Sequence, residues 1–305
     1  GVQFLSVGPN DAKQWKDLIA AWLAEGLLER WTPRLQALER YSGGYTDGPA
    51  TAIGTRMSFF DVLTAQELYV SPGGMRNLCE GRASKGKFRS IRGCRVRRLE
   101  KCDGSYKSHV WKLYGNPGNQ AHHDATELDV KDADDQYLGS FKTVVLSDVM
   151  LSFPSWHRAA LLGLETAVPD LVELLRHTEM APLFSLMVSF EAGATEKLDV
   201  DAALVRHDVL QWVCRMSSKP GGQSLTQDCW VCVSTRDFAE ACLKDEPMSR
   251  EAVETQGRVY KPQEKDYLSA DPADRMLKAF LEIFQLDLDP ISKQCQRWGA
   301  AYVHQ

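Results

Sequence analysis

The chain has 305 residues, 44% of them hydrophobic and 25% charged, with 13 Pro, 22 Gly and a formal net charge of -5 at pH 7. Those figures exclude a disordered, collagen-like or supercharged protein, and the length fits one large domain or two ordinary ones of roughly 100–200 residues each. Lys and Arg are scattered among carboxylates, so no broad basic footprint invites nucleic acid or anionic lipid, and no apolar run is long enough to span a bilayer.

The N-terminal residues 1–7 read as part of a strand. A helix follows, with Asn10 or Asp11 as N-cap, Gln14 in capping-box position, and Trp15, Leu18, Ile19, Trp22 and Leu23 on one buried face. Gly26 and Pro33 end it, and a Gly-rich loop over 42–48 leads to an apolar cluster around Phe59 and Phe60. A short strand ends at Val70, the turn Pro72-Gly73-Gly74-Met75 follows, and a helix runs to about Ala83. Residues 92–99 and 108–114 alternate as paired strands around a turn at Asp103-Gly104. The polar residues 115–136 read as a surface loop, and the β-branched residues 142–146 as a strand. One or two helices are expected over 156–180, with Pro169 opening the second. Phe184, Leu186, Val188 and Phe190 share one face of a strand, and further strands are expected at 209–215 and 229–234. Asp271 and Pro272 open a last helix whose apolar stripe is Met276, Leu277, Phe280, Leu281 and Phe284, and a closing strand runs through Arg297 and Trp298. The fold class is α/β or α+β throughout, without an internal repeat.

Eight Cys lie at irregular spacing (79, 94, 102, 214, 229, 232, 242 and 295), unlike the dense framework of small secreted domains. They read as mostly reduced thiols in a soluble protein of a reducing compartment, such as the cytosol or an organelle matrix. Cys229-Trp230-Val231-Cys232 has dithiol spacing, but on a strand its two sulfurs point to opposite faces, so packed thiols are the expectation. His122, His123, Asp124 and Glu127 lie among Asn, Gly and Asp residues that do not support the helix a metal pair would need, and a solvated loop is expected. Neither GxSxG nor Walker A is present. Ser217-Ser218-Lys219-Pro220-Gly221-Gly222, after a strand, reads as a turn or as an anion cradle made of backbone N–H groups. Pro72-Gly73-Gly74-Met75 is the sharper signal, because glycine without Cβ lets a flat or phosphorylated ligand approach a helix N-terminus.

Taken in order, several segments resemble the renalase-like branch of the FAD-dependent amine oxidase superfamily over nearly the whole chain. They are Gly1-Val2-Gln3-Phe4, Tyr69-Val70-Ser71-Pro72-Gly73-Gly74-Met75, Arg95-Val96-Arg97-Arg98-Leu99, and Val144-Val145-Leu146. Ala181-Pro182-Leu183-Phe184, Gln211-Trp212-Val213, the Ser217–Gly221 turn, Cys229-Trp230-Val231 and Gln296-Arg297-Trp298 complete the set. The resemblance implies an incomplete FAD/NAD(P)-binding amine-oxidase-like fold, in which residues 1–66 and 151–305 build a mixed-sheet substrate domain and 67–150 part of an FAD-binding domain. It implies oxidation of reduced or isomeric dihydronicotinamide nucleotides, or of a small amine, by a bound flavin. It also places Gly1 and Gln3 beside the isoalloxazine, Gly73 and Gly74 against the cofactor, the Val96 backbone at the adenine, and Trp298 on the substrate side. It names no catalytic acid or base and no metal.

The family's GxGxxG strand–turn–helix precedes the equivalent of Gly1, and its flavin-closing segment follows the equivalent of Gln305. The 305 residues alone are therefore expected not to retain FAD. Asp148-Val149-Met150 stands where relatives carry a Pro-containing turn, and Gly299 where a basic residue is common. These departures leave two readings open beside each other: a flavoenzyme, or a non-catalytic, degenerate flavoprotein-fold subunit with a structural or interaction role in a larger protein complex.

Overall fold

A computed structural model of the chain describes residues 3–41, 44–48, 66–86, 94–102, 111–117, 136–145, 164–176, 179–222, 225–244 and 268–304. In chain order the elements are β1 (Leu5–Val7), α1 (Lys13–Ala24), β2 (Glu29–Trp31), β3 (Leu35–Tyr41), β4 (Gly44–Gly48), β5 (Glu67–Val70), α2 (Met75–Lys85), β6 (Cys94–Lys101) and β7 (Trp111–Pro117). They continue with β8 (Gln136–Phe141), α3 (Leu164–Ala167), α4 (Pro169–Arg176), β9 (Glu179–Phe190), β10 (Ala202–Arg206), β11 (Leu210–Arg215), β12 (Asp228–Ser234), α5 (Arg236–Lys244), α6 (Asp271–Phe284) and β13 (Ser292–His304). Contacts divide the chain into two units, Gly1–Phe88 with Phe184–Cys242 and Lys265–Arg297, and Arg89–Leu183 with Leu243–Glu264 and Trp298–Gln305.

In the first unit the helical spacing of Trp15, Ile19, Trp22 and Leu23 turns one face of α1 onto Val7, Leu28, Tyr69 and Leu78. Leu18 stays 39% exposed, at the edge of the expected stripe. The expected capping box does not form. Asp11 Oδ2 instead accepts the Gly8 N–H at 2.7 Å, closing the preceding turn, and Ala12 is an N-cap without a side-chain bond. The Trp15 indole ties the helix to β1 by donating to the Ser6 carbonyl at 3.0 Å. β1, β5 and β2 form a small antiparallel sheet in the order β1-β5-β2.

A seven-stranded sheet runs β13-β9-β12-β11-β10-β3-β4, with β10 parallel to β3. Phe184, Leu186, Val188 and Phe190 of β9 are all buried, as their alternation requires. The stripe of α6 packs here: Phe280 stacks on Phe190 at 5.9 Å and meets Trp230 at 5.2 Å. Each such ring removes enough apolar surface from water to contribute roughly 2–3 kcal/mol. Asp271 is the first residue of α6 rather than its cap, because Ala270 takes that position. At the open end of β10, Arg34 grips Asp201 through Nε and Nη2 at 3.0 and 2.8 Å. Burial on its own raises the Asp201 carboxyl, but the Arg34 hydrogen bonds outweigh it and hold the group below the usual carboxylate range.

The second unit holds the antiparallel sheet β6-β7-β8. Leu99, Leu164 and Val172 form its core, with Val96, Trp111, Leu113, Val144 and Val168 packed around them. Two expectations are corrected here. The third strand is Gln136–Phe141, not 142–146, and β7 continues through Gly115–Pro117, where a loop was expected. An edge strand needs only its backbone for pairing, so a polar segment with exposed Tyr137 and Phe141 serves, while Val144 is spent on core contact beyond it. Phe59, Phe60, the Asp103-Gly104 turn, the His122–Glu127 segment and residues 148–150 lie outside the described residues.

Candidate functional site

β11 ends at Arg215, and the chain then makes a single 3-10 turn over Met216–Ser218. The Met216 carbonyl accepts the Lys219 N–H at 3.2 Å, the Lys219 carbonyl accepts the Gly222 N–H at 2.8 Å, and Ser218 Oγ donates to the Arg215 carbonyl at 2.8 Å. The Lys219 and Gly222 N–H groups are thus spent inside the turn. The turn's outcome is to bury a lysine. Lys219 is 6% exposed, and its ammonium donates to the Gln3 carbonyl at 3.0 Å and to Gln3 Oε1 at 3.1 Å. It also stands 5.2 Å from the centre of the Trp31 ring and contacts the Cys214 thiol.

Burial pulls the Lys219 ammonium below the usual lysine range, and burial pushes the Cys214 thiol up to about 11. No Asp or Glu among the described residues pairs with Lys219. Phe4, next to Gln3, bridges two indoles, at 6.0 Å from Trp31 and 5.9 Å from Trp212. Trp31 Nε1 is buried and has no hydrogen-bond partner among the described residues.

The same turn meets the Pro72–Met75 turn through glycine. Gly221 has φ +79°, and a Cβ there would stand 2.6 Å from the Gly73 nitrogen and 3.2 Å from Pro72 Cα, so backbone rests directly on backbone. Gly73 and Gly74 both have positive φ, +74° and +117°, and the turn is tied by the Gly74 N–H to the Ser71 carbonyl at 2.9 Å. Asn77 Nδ2 adds a bond to the Pro72 carbonyl at 2.8 Å. A Cβ on Gly74 would meet nothing within 4 Å, which leaves its face open to a ligand at the start of α2.

Of the residues expected at a cofactor, Gln3, Gly73 and Gly74 are thus linked through one loop, 219–222. Gly1 lies outside the described residues. Val96 belongs to the second unit, pairing with Gly115 at a bulge in β6 while its side chain joins the core. Trp298 lies on β13, 39% exposed, and is assigned to the same unit. Lys219, Trp31 and Cys214 were not singled out in the sequence. Lys219 stood out only as a member of Ser-Ser-Lys-Pro-Gly-Gly, a segment directly after a strand that also belongs to the family resemblance.

Cys229 and Cys232 sit opposite Ser189 and Leu186 in the β12–β9 pairing, three residues apart and on opposite faces. Burial raises both thiols, Cys232 the more strongly. Among the described residues no three His, Cys, Asp or Glu side chains gather as a metal site, and no helix is long and apolar enough to cross a membrane. Limited alkylation followed by mass mapping should label exposed Cys79 first and leave Cys214 and Cys232 until unfolding. Early labelling of Cys232 would refute this packing.

No protein-family profile matches the sequence, and no curated protein matches it. Among solved structures, the chain is similar to a double mutant of putrescine oxidase made in a redesign of cofactor binding, at 10% identity over 97% of this chain and 76% of that one, with TM-score 0.51. It also aligns with a candidate protoporphyrinogen oxidase from Exiguobacterium sp. 255-15, at 11% identity over 78% of this chain and 42% of that one, with TM-score 0.46. An oxidoreductase from Methanosarcina mazei aligns at 10% identity over 78% and 45%, with TM-score 0.44. The chain spans less than half the length of the last two. At these identities the likeness concerns architecture alone: the chain shares the mixed α/β fold of the putrescine oxidase structure.

Proposed function

We propose that the chain works as part of a renalase-like, FAD-dependent oxidoreductase that acts on reduced or isomeric dihydronicotinamide nucleotides. Residues 1–66 and 151–305 would handle substrate, and 67–150 would hold part of the nucleotide. The observation that carries the reading is that one loop, Lys219–Gly222, meets two segments far from it in sequence, Gln3 through a buried ammonium that lacks a carboxylate and Pro72–Gly73 through Gly221. An uncompensated buried cation favours an electron-rich neighbour.

One feature fits a flavin: the open face of Gly74 can receive a flat group. Gly1, Gln3, Gly73 and Gly74 would hold the cofactor, Val96 would offer its backbone to the adenine, and Trp298 would face substrate. When bound, a flavin supplies hydride acceptance and passes the electrons to oxygen. The chain's own part is then binding and orientation: Lys219 fixes Gln3, and Gly221 fixes the Pro72–Gly74 turn. The test is anaerobic mixing of the complete gene product with reduced nicotinamide mononucleotide. Loss of the oxidised-flavin absorbance is expected. A bound flavin that stays unbleached would overturn the catalytic reading in favour of a non-catalytic subunit.

A further inference from the structure

The solvent face of the β6-β7-β8 sheet carries an aromatic and basic row. The register sets Arg98 of β6 against Tyr114 of β7, and Tyr114 against Tyr137 of β8, so the three side chains line up across the strands. Leu99 and Leu113 belong to the core beneath, and alternation therefore turns this row outward, with Glu100, Lys112 and Ser140 as the next row on the same face. Both flanking strands bulge at Tyr114, where Arg97 and Leu138 are the extra residues. Arg98 Cζ stands 4.0 Å above the Tyr114 ring, and its guanidinium pairs with Glu100. Tyr137 is 58% exposed, and its hydroxyl shares a hydrogen bond with that of Ser140. The row is thus held in place before any partner arrives, which lowers the entropy cost of binding.

Charge and size select the occupant. In a chain of net charge -5, β6 carries Arg95, Arg97, Arg98 and Lys101 against Glu100 alone, and Lys112 is exposed on the neighbouring strand. Tyrosine and arginine are the residues that most often anchor protein interfaces. Three strands cover roughly 15 by 20 Å, well under the ~800 Å² that each globular partner of a stable complex buries, so a single segment fits and a folded surface does not. Stacked bases do not fit either. Arg98 already covers one face of Tyr114, and Tyr137 is tilted 60° to that ring at 5.7 Å, so no two rings stand open in parallel. We infer that this face docks an extended acidic segment of a partner protein, with its carboxylates on Arg98 and Lys112 and an apolar side chain against Tyr137. The inference is independent of the flavoprotein reading.

The test is fluorescence anisotropy of the complete gene product with a labelled short peptide of Glu, Ser and Leu. A peptide of Lys, Ser and Leu and an oligothymidylate serve as comparators. The acidic probe should bind, and the basic one should not. Arg98→Met and Tyr137→Ser should each weaken the acidic probe by at least about fivefold while the thermal midpoint stays within about 2 °C. Lys278→Met, an equal loss of charge at an exposed position on α6, should leave its affinity within about twofold of wild type. Failure of wild type to bind the acidic probe, or binding that ignores Arg98 and Tyr137, overturns the inference. Tighter binding of the oligothymidylate than of the acidic probe does the same. Two further results would give the face to another occupant and so overturn it: a dimer that Tyr137→Ser dissociates, or probe binding that appears only when Asp132→Asn, Asp134→Asn and Asp135→Asn are combined.

Discussion

Gly221→Val should lower the stability of the first unit by roughly 3–5 kcal/mol, seen as a fall of about 10 °C in the thermal midpoint of the complete gene product. Two independent costs add. A β-branched residue at φ +79° is strained wherever it stands, and the new Cβ would lie 2.6 Å from the Gly73 nitrogen, a backbone atom that cannot rotate away. The turn would have to leave Pro72–Gly73, dragging Lys219 from Gln3. Gly221→Ala should show the same change at smaller size. A midpoint within about 2 °C of wild type for the valine variant would mean that the two turns do not rest on each other.

Asp228→Ala should be comparably damaging for an electrostatic reason. Asp228 Oδ2 accepts the Thr195 N–H at 2.8 Å and the Thr195 hydroxyl at 3.0 Å, and that hydroxyl accepts Arg215 Nη2 at 2.7 Å and Trp230 Nε1 at 3.0 Å. The threonine oxygen thus spends its one donor and both lone pairs inside a buried network. Arg215 and Asp228 are each 7% exposed and lie 3.9 Å apart, so the carboxylate balances the guanidinium chiefly through Thr195. Removing the carboxylate leaves a buried cation and an orphaned N–H, a loss of about 3–5 kcal/mol. Changing Arg215→Met as well should recover part of that loss, because the stranded charge goes with it. Denaturant melts of the two variants decide the matter: equal midpoints for the single and double variants would show that the charge is not what destabilises.

The sequence was most readable where one face of an element is buried. β9 and α6 carry periods of 2 and 3.6 that survive into the structure, because Phe184, Leu186, Val188 and Phe190, and Met276, Leu277 and Phe280, are all in the core. The Pro72–Met75 turn was readable because φ near +74° and +117° leaves little but glycine for those positions. Asp11 misled, since a carboxylate in front of a helix has two N–H groups within reach and took the one in the preceding turn. β8 misled because its pairing is a backbone matter, and its edge position frees its side chains from the core. β2, β3 and β10 were not picked out, and Gly44–Gly48, read as part of a Gly-rich loop, is β4, because pairing with β3 needs only its backbone.

The centre of the candidate site was the least visible. The Ser217–Gly222 segment reads as a turn or an anion cradle, and nothing near residue 219 announces that Gln3, 216 positions earlier, will accept two hydrogen bonds from its lysine. Burial of Lys219 is a tertiary property, made by Trp31 and Gln3 arriving from other elements, whereas local pattern reports only the element on which a residue sits. The family resemblance supplied Gln3, Gly73–Gly74 and the Ser217–Gly221 turn; the fold supplied the contacts that join them.

A crystal structure of the complete gene product, purified without added ligand, bears most directly on the account. It should show an isoalloxazine beside Gln3, with Gly73 and Gly74 against the cofactor and Lys219 still holding Gln3. Density for a flavin lodged elsewhere, or a Lys219 side chain extended into solvent with Gln3 released, would contradict it.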